Sequence, residues 1–287
     1  MSKYLAEQPV IADFENKGYL VIRVTDEVVK AIATVFETAA VFFRSDKAEK
    51  SQNSIPALHE GWYDVGGEFS ITPDRPDLHE AFWVTQRAME AVKPIYTPLG
   101  LDFNNKMQHC INMYNDIERS VTKMLMEYLG IPKAKGPAFE CNNNSDMQVL
   151  YYQPHLYERD LLQDPHDDGL YMTFAKGTHP GLEIQLADGA FHKPSLKADE
   201  LIVMPGTILS LMTGYRVKPL IHRIMRHANQ TERFSLVYFT LPNMKEGEVI
   251  APWVLNDTNR NVDIMARIIE NESQFLTEKV AEQQTAG

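Results

Sequence analysis

Between Met147 and Phe239 the chain breaks into short segments rich in β-branched and aromatic residues, each bounded by turn formers, and few folds accommodate that pattern. The segments are Gln148–Tyr152, Tyr171–Phe174, Leu182–Leu186, Ala190–Lys193, Leu201–Met204, Thr207–Met212, Ile221–Ile224 and Phe234–Phe239. Asp188-Gly189 is a tight hairpin signal, and Pro205-Gly206 and Thr213-Gly214 mark further turns. Eight short strands at these spacings predict a double-sheet jelly roll, a β-rich mixed fold with helices packed around it. No repeat or linker divides the 287 residues, which read as a single domain. Within it, residues 1–146 are expected to be mainly helical support and 147–243 the jelly-roll core. Residues 244–287 are expected to form an extension with a helix from about Val262 to Ala281.

The flanking elements follow from periodicity. Gly18–Val24 reads as a strand. Thr25 then stands where it can cap a helix, with Asp26 and Glu27 in the first turn and an apolar stripe through Val28, Ile32, Val35, Phe36 and Ala39. Asn104–Leu129 carries the longest helical stripe, including Met107, Ile111, Ile117, Val121 and Leu125, and Gly130 and Pro132 end it. From Gly61 to Phe82, two prolines and three glycines predict an irregular segment without a long regular element. The polar run Asn142–Asp146 reads as a connection.

Composition excludes several classes of function. Hydrophobic content of 44% and charged content of 23% describe a globular chain rather than a disordered one. A net charge of −11 with no basic run gives no electrostatic support for binding nucleic acid. Cys110 and Cys141 make no metal-binding spacing and suit a reducing compartment. The first residues lack the apolar run of a signal peptide, and no stretch is apolar for the length of a bilayer. A cytoplasmic enzyme is therefore expected, with a small-molecule substrate and no obligate protein partner.

The chemistry-bearing residues lie in the strand-dense half. His166 and Asp168, two positions apart in Pro165-His166-Asp167-Asp168, share one face if a strand extends through them. His222 follows far downstream in Leu220-Ile221-His222-Arg223-Ile224. Two histidines and a carboxylate form the facial set that holds non-haem iron(II) and leaves three coordination positions open. Arg233-x-Ser235 places a guanidinium beside a hydroxyl, which suits the far carboxylate of a dicarboxylate. An isolated H-x-D is a poor signal. The ordered set of H-x-D, a distant His and R-x-S on strand-like segments is a strong one. His155, His179, His192 and His227 read as packed, hydrogen-bonded side chains, and Asp167 faces away from the set.

These residues resemble the iron(II)/2-oxoglutarate dioxygenases, in particular the isopenicillin N synthase-like branch with the plant flavonoid oxygenases and the ethylene-forming enzyme. The resemblance spans roughly Asp13 to Asn243. It implies that His166, Asp168 and His222 are the catalytic iron ligands and that 2-oxoglutarate and O2 are co-substrates. It further implies that Arg233 and Ser235 hold the distal carboxylate of 2-oxoglutarate. Leu150-Tyr151-Tyr152-Gln153-Pro154 resembles the family's Asn-Tyr-Tyr-Pro segment, whose second tyrosine, here Tyr152, helps hold the co-substrate. Leu150 replaces the asparagine, and Met204-Pro205-Gly206-Thr207 stands where relatives usually carry Gly-Asp.

The glycine-aromatic segment around Gly61 and the Arg75-Pro76-Asp77 segment correspond to the family's substrate mouth, so Tyr63 and Glu68 are candidate substrate contacts. By residue type alone Glu68 reads as a solvated loop carboxylate and His79 as a surface residue. The implied activity is hydroxylation, with desaturation or cyclisation as variants, of a small molecule of specialised or amino-acid metabolism. An oxidase of the isopenicillin N synthase type would use no 2-oxoglutarate, and Arg233 would then bind the substrate's own carboxylate. A metal-binding jelly-roll sensor without catalysis is a reading from another class. A zinc hydrolase could use the same three ligands but has no need of Arg233-x-Ser235, and no HExxH base is present.

Overall fold

On the central strands, alternate side chains enter two different apolar layers, and this alternation builds the molecule. The computed structural model describes residues 1–55, 60–86, 96–133, 139, 141, 145–153, 157–227, 232–242, 249–250, 262–263 and 266. In chain order these form α1 (Asp13–Asn16), β1 (Leu20–Arg23), α2 (Asp26–Phe43), α3 (Lys47–Ser51), β2 (Ser54–Ile55), β3 (Glu60–Tyr63), β4 (Glu80–Thr85) and α4 (Pro98–Leu129). The strands β5 (Ser145–Tyr152), β6 (Leu161–His166), β7 (Met172–Gly177), β8 (Leu182–Gln185), β9 (Phe191–His192) and β10 (Glu200–Pro205) follow. Next come the short helix α5 (Thr207–Met212), β11 (His222–Met225) and β12 (Arg233–Thr240), then a small pair, β13 (Val249–Ile250) and β14 (Val262–Asp263). The larger sheet has the order β1-β10-β7-β12-β5-β4-β3-β2, and the smaller has β6-β11-β8-β9. All recorded pairings are antiparallel, and the two sheets make the jelly roll.

One face of the larger sheet packs on the helices. Met147, Val149 and Tyr151 of β5 and Phe234, Leu236 and Tyr238 of β12 join Val35 and Phe42 of α2 and Phe103 and Ile111 of α4 in the main core. The opposite parity turns inward, so Leu150, Tyr152 and Val237 meet Leu162 and Ile224 of the smaller sheet. Ala175, Ile202 and Met204 meet Ile184 in the same interlayer space. Helix α4 begins earlier than its stripe alone indicates, because Thr97 caps it by accepting from the Gly100 N–H at 3.2 Å and Pro98 occupies its first turn. It ends at Gly130 in the left-handed conformation (φ +70°). No described helix is long and apolar enough to cross a membrane.

Several local expectations are corrected. The N-terminal region is not only helical support, because β1 forms one edge of the larger sheet and β2–β4 complete its other side. The irregular stretch therefore shrinks to residues 64–79, since residues 61–63 belong to β3 and 80–82 to β4. Gly61 is required within β3 because a Cβ there would lie 1.8 Å from the Asn53 carbonyl oxygen. Strand β6 escapes a β-propensity reading because Leu-Leu-Gln-Asp-Pro-His has no β-branched residue and contains proline. It sits at the edge of the smaller sheet, where a missing N–H is tolerated.

Thr207–Met212 is a helix and not a strand, since a six-residue apolar run carries no periodicity to separate the two. Thr25 occupies the N-cap of α2, but its hydroxyl makes no capping bond and is buried without a partner among the described residues. Ser145 and Asp146 open β5 rather than belonging to a connection. At the C-terminus, Val262–Asp263 is a strand, and the remainder of the expected 262–281 helix lies outside the described residues apart from Ala266.

Candidate active site

Strand pairing brings the two histidines together. β11 runs beside β6 with His222 opposite His166, and their ring centroids are 4.4 Å apart. Each ring is oriented through Nδ1: His166 Nδ1 lies 2.7 Å from the Asp164 carbonyl oxygen, and His222 Nδ1 lies 3.2 Å from that of Leu220. A carbonyl can only accept, so the proton sits on Nδ1 and the Nε2 lone pair of both rings is left for a metal. Both Nε2 atoms lie 3.6 Å from Asp168 Oδ1, beyond hydrogen-bond range, and the three ligand atoms fall within 4.8 Å of one another. That spacing suits a cation standing between them.

Asp168 does not extend a strand. β6 ends at His166, and the carboxylate comes from the turn that leads into β7. Helix α5 fixes this turn: Thr207 N–H donates to the Asp168 carbonyl at 3.2 Å and Ile208 N–H to that of Leu170 at 3.0 Å. The Thr207 hydroxyl donates to the Asp167 carboxylate, which gives Asp167 its supporting role. Gly206 lets the helix approach, because a Cβ there would lie 2.3 Å from the Asp168 carbonyl oxygen and 2.2 Å from that of Leu170.

Burial opposes charge on Asp168, but facing His222 and His166 outweighs it and holds the carboxyl down at about 2. At His222 burial prevails and lowers the pKa, which favours the neutral ligand form. At His166 burial acts in the same direction but Asp168 outweighs it, and the pKa rises.

A cavity of about 480 Å³ between the sheets is lined by all three of these residues and by Arg233, Ser235 and Tyr152. Arg233 and Ser235 project from the inward face of β12, with Arg233 opposite Tyr152 and Ser235 opposite Leu150 and Gly177. The Arg233 guanidinium donates to the Ser235 hydroxyl and, at 3.2 Å, to the His179 carbonyl, and it lies 5.2 Å from the Tyr152 ring centroid. Tyr152 is fully buried and donates its hydroxyl to Gln163 Oε1 at 3.1 Å. Arg233 is 3% exposed, burial pushes its pKa down, and no carboxylate pairs with it among the described residues. A buried guanidinium without a counter-charge is costly, and a dicarboxylate entering the cavity would supply one. Both implied groups therefore fit the residues present.

Glu68 also lines the cavity, but it is buried rather than solvated, with the His79 ring at 2.8 Å and the Trp83 indole at 2.7 Å. His79, expected at the surface, is 4% exposed and lines the same cavity. Tyr63 is not among the lining residues; its ring packs near Trp83 and its hydroxyl is buried without a partner among the described residues. His179 and His192 are exposed rather than packed, and His155 lies outside the described residues. Sequence reasoning missed His79, Gln148 and Gln163 in the lining. The inward parity of β5, read outward from Tyr152, was the signal available for Gln148.

Comparison with known proteins agrees with this geometry. Residues 143–242 match the family model described as the 2OG-Fe(II) oxygenase superfamily. A 2-oxoglutarate-dependent dioxygenase of Aspergillus rugulosus is 26% identical over 48% of this chain and 44% of its own length. A 2-oxoglutarate-dependent dioxygenase of Gibberella zeae is 23% identical over 72% of this chain and 64% of its own. The chain thus spans less than two thirds of either relative. Among solved structures, a full-length Neurospora crassa protein in complex with alpha-KG superposes with a TM-score of 0.77, covering 92% of this chain and 88% of that one. At 16% identity this is a likeness of fold. The matched residues 143–242 carry the facial set of two histidines and a carboxylate, and over that core the chain is similar to the 2OG-Fe(II) oxygenase superfamily.

Proposed function

We propose that the protein is an iron(II)- and 2-oxoglutarate-dependent dioxygenase of the isopenicillin N synthase-like branch that oxidises a small organic substrate. The observation that carries this reading is the buried, unpaired Arg233 in the same cavity as His166, Asp168 and His222. Iron(II) held by this set supplies, with 2-oxoglutarate and O2, the oxidising power to break a C–H bond while 2-oxoglutarate becomes succinate and CO2.

The chain's own residues hold and orient. His166 and His222 offer Nε2, and Asp168 offers a carboxylate already ionised at neutral pH. Arg233 takes the distal carboxylate through its planar fork, with Ser235 beside it and Tyr152 bracing the guanidinium. Glu68 and the 64–79 connection form the substrate end, with Tyr63 behind them. A net charge of −11 supports a small molecule rather than nucleic acid as substrate, and two buried free thiols support a reducing, cytoplasmic setting.

A second reading rests on the same arginine: in an oxidase without 2-oxoglutarate, Arg233 would take the substrate's carboxylate. The test is succinate release from 2-oxoglutarate by the iron-loaded protein. Succinate formed by the wild type and absent in His222→Ala supports the dioxygenase. Oxygen consumption without succinate across a substrate panel supports the oxidase, and neither activity overturns both.

A further inference from the structure

The end of the cavity lined by Glu68 and His79, with Trp83 bonded to Glu68 from outside the lining, has a polar geometry of its own. Trp83 Nε1 can only donate, and it donates to Glu68 Oε1 at 2.7 Å. His79 Nε2 lies 2.8 Å from the other oxygen, Oε2, so each carboxylate oxygen already has a partner. In the neutral imidazole, an acceptor at Nε2 holds the one ring proton there and leaves the lone pair on Nδ1. Nδ1 is buried and has no hydrogen-bond partner among the described residues. The nearby Asp77 carboxylate does not satisfy it: Oδ2 accepts from the Ser70 hydroxyl at 2.8 Å, and Oδ1 is itself buried without a partner. A buried acceptor left unmet is costly, and the cavity that His79 lines is where a ligand could meet it.

The surroundings define what such a ligand looks like. The Tyr152 ring stands edge-on to His79 with centroids 5.3 Å apart, and Leu150, Val237 and Phe239 add apolar wall. Glu68 behind the imidazole disfavours an anionic group, and with both its oxygens already engaged it offers little to a cation. We propose that His79 is a specificity-determining residue that accepts, at Nδ1, a hydrogen bond from a neutral hydroxyl or N–H group on a substrate with an aromatic or alicyclic body. This rests on the proposal that the cavity takes a small organic substrate beside 2-oxoglutarate. A pocket with a fixed acceptor rejects a ligand that lacks the donor more strongly than one of slightly different size.

The experiment uses the metal-free protein and two matched pairs of probes, 2-naphthol with 2-methoxynaphthalene and indole with N-methylindole, titrated by ligand-observed NMR. The donor-bearing member of each pair is expected to bind at least about tenfold more tightly than its methylated partner. His79→Phe is expected to erase that ratio. His79→Asn, which retains an acceptor near the Nδ1 position, is expected to restore part of it. Equal affinities within each pair, no binding by any probe, or a ratio that survives in His79→Phe would each overturn the assignment. Binding of 2-oxoglutarate to the manganese-loaded wild type, measured separately by calorimetry, reports on the parent proposal, so failure of one is not mistaken for failure of the other.

Discussion

The two ends of the cavity bury opposite charges in opposite ways. Arg233 stands on β12 between two neighbouring strands, with its register locked on both sides, and no carboxylate meets it among the described residues. Glu68, 9% exposed, comes from the 64–79 connection and has a partner for each oxygen. An unpaired charge on a rigid strand marks the place of a missing counter-ion. A paired charge on a connection marks a positioning device whose own bonding is complete. On the proposed reading the first end takes one fixed anion, and the second a neutral group that differs from one substrate to another.

The largest expected effect lies at the unpaired end. Arg233→Ala should weaken 2-oxoglutarate binding by about 2–5 kcal/mol, or about 30- to 4,000-fold, because truncation removes one side of a charge-assisted pair. Arg233→Lys should recover only part of the loss, since an ammonium cannot make the forked contact. Calorimetric titration of the manganese-loaded protein measures both, and an unchanged dissociation constant would erase the contrast between the two ends.

A smaller loss is expected from Gly177→Ala. A Cβ at Gly177 would lie 2.7 Å from an Arg233 guanidinium nitrogen, so the guanidinium must shift from its present position. The expected outcome is weaker 2-oxoglutarate binding, by about 1–3 kcal/mol, with iron binding retained. Equal loss of both would mean that the substitution disturbs the sheet rather than the clamp.

The smallest effect on 2-oxoglutarate binding is expected at the paired end. Trp83→Phe removes the N–H that holds Glu68 Oε1 while keeping an aromatic ring. Loss of that bond should cost about 1–3 kcal/mol, read as a lower midpoint of thermal unfolding, and should leave 2-oxoglutarate affinity unchanged. A matching fall in 2-oxoglutarate affinity would show that the two ends are mechanically one.

The site's ligands were legible because strand periodicity carries facing information. Arg233 and Ser235 share a face at a spacing of two, and the same parity turns Tyr152 inward opposite Arg233. His166 and His222 were legible by residue type and order, although nothing local states that β11 would place them opposite each other. The helical stripes of α2 and α4 were readable for the same reason, since a period of 3.6 persists over the 18 residues of α2 and over Asn104–Leu129 of α4.

The amino-acid sequence by itself thus determined the jelly-roll class, the support helices and the two histidines and carboxylate that the fold gathers. Tertiary structure decided the rest. It made Thr207–Met212 a helix whose N–H groups hold the Asp168 turn, where six apolar residues are too few to display a period. It turned proline-containing Leu161–His166 into an edge strand. It also buried Glu68 against His79 and Trp83, because the pairing of β4 with β5 carries the 64–79 connection to the cavity. Burial of a charged side chain depends on which distant donors arrive beside it, and local sequence holds no record of that meeting.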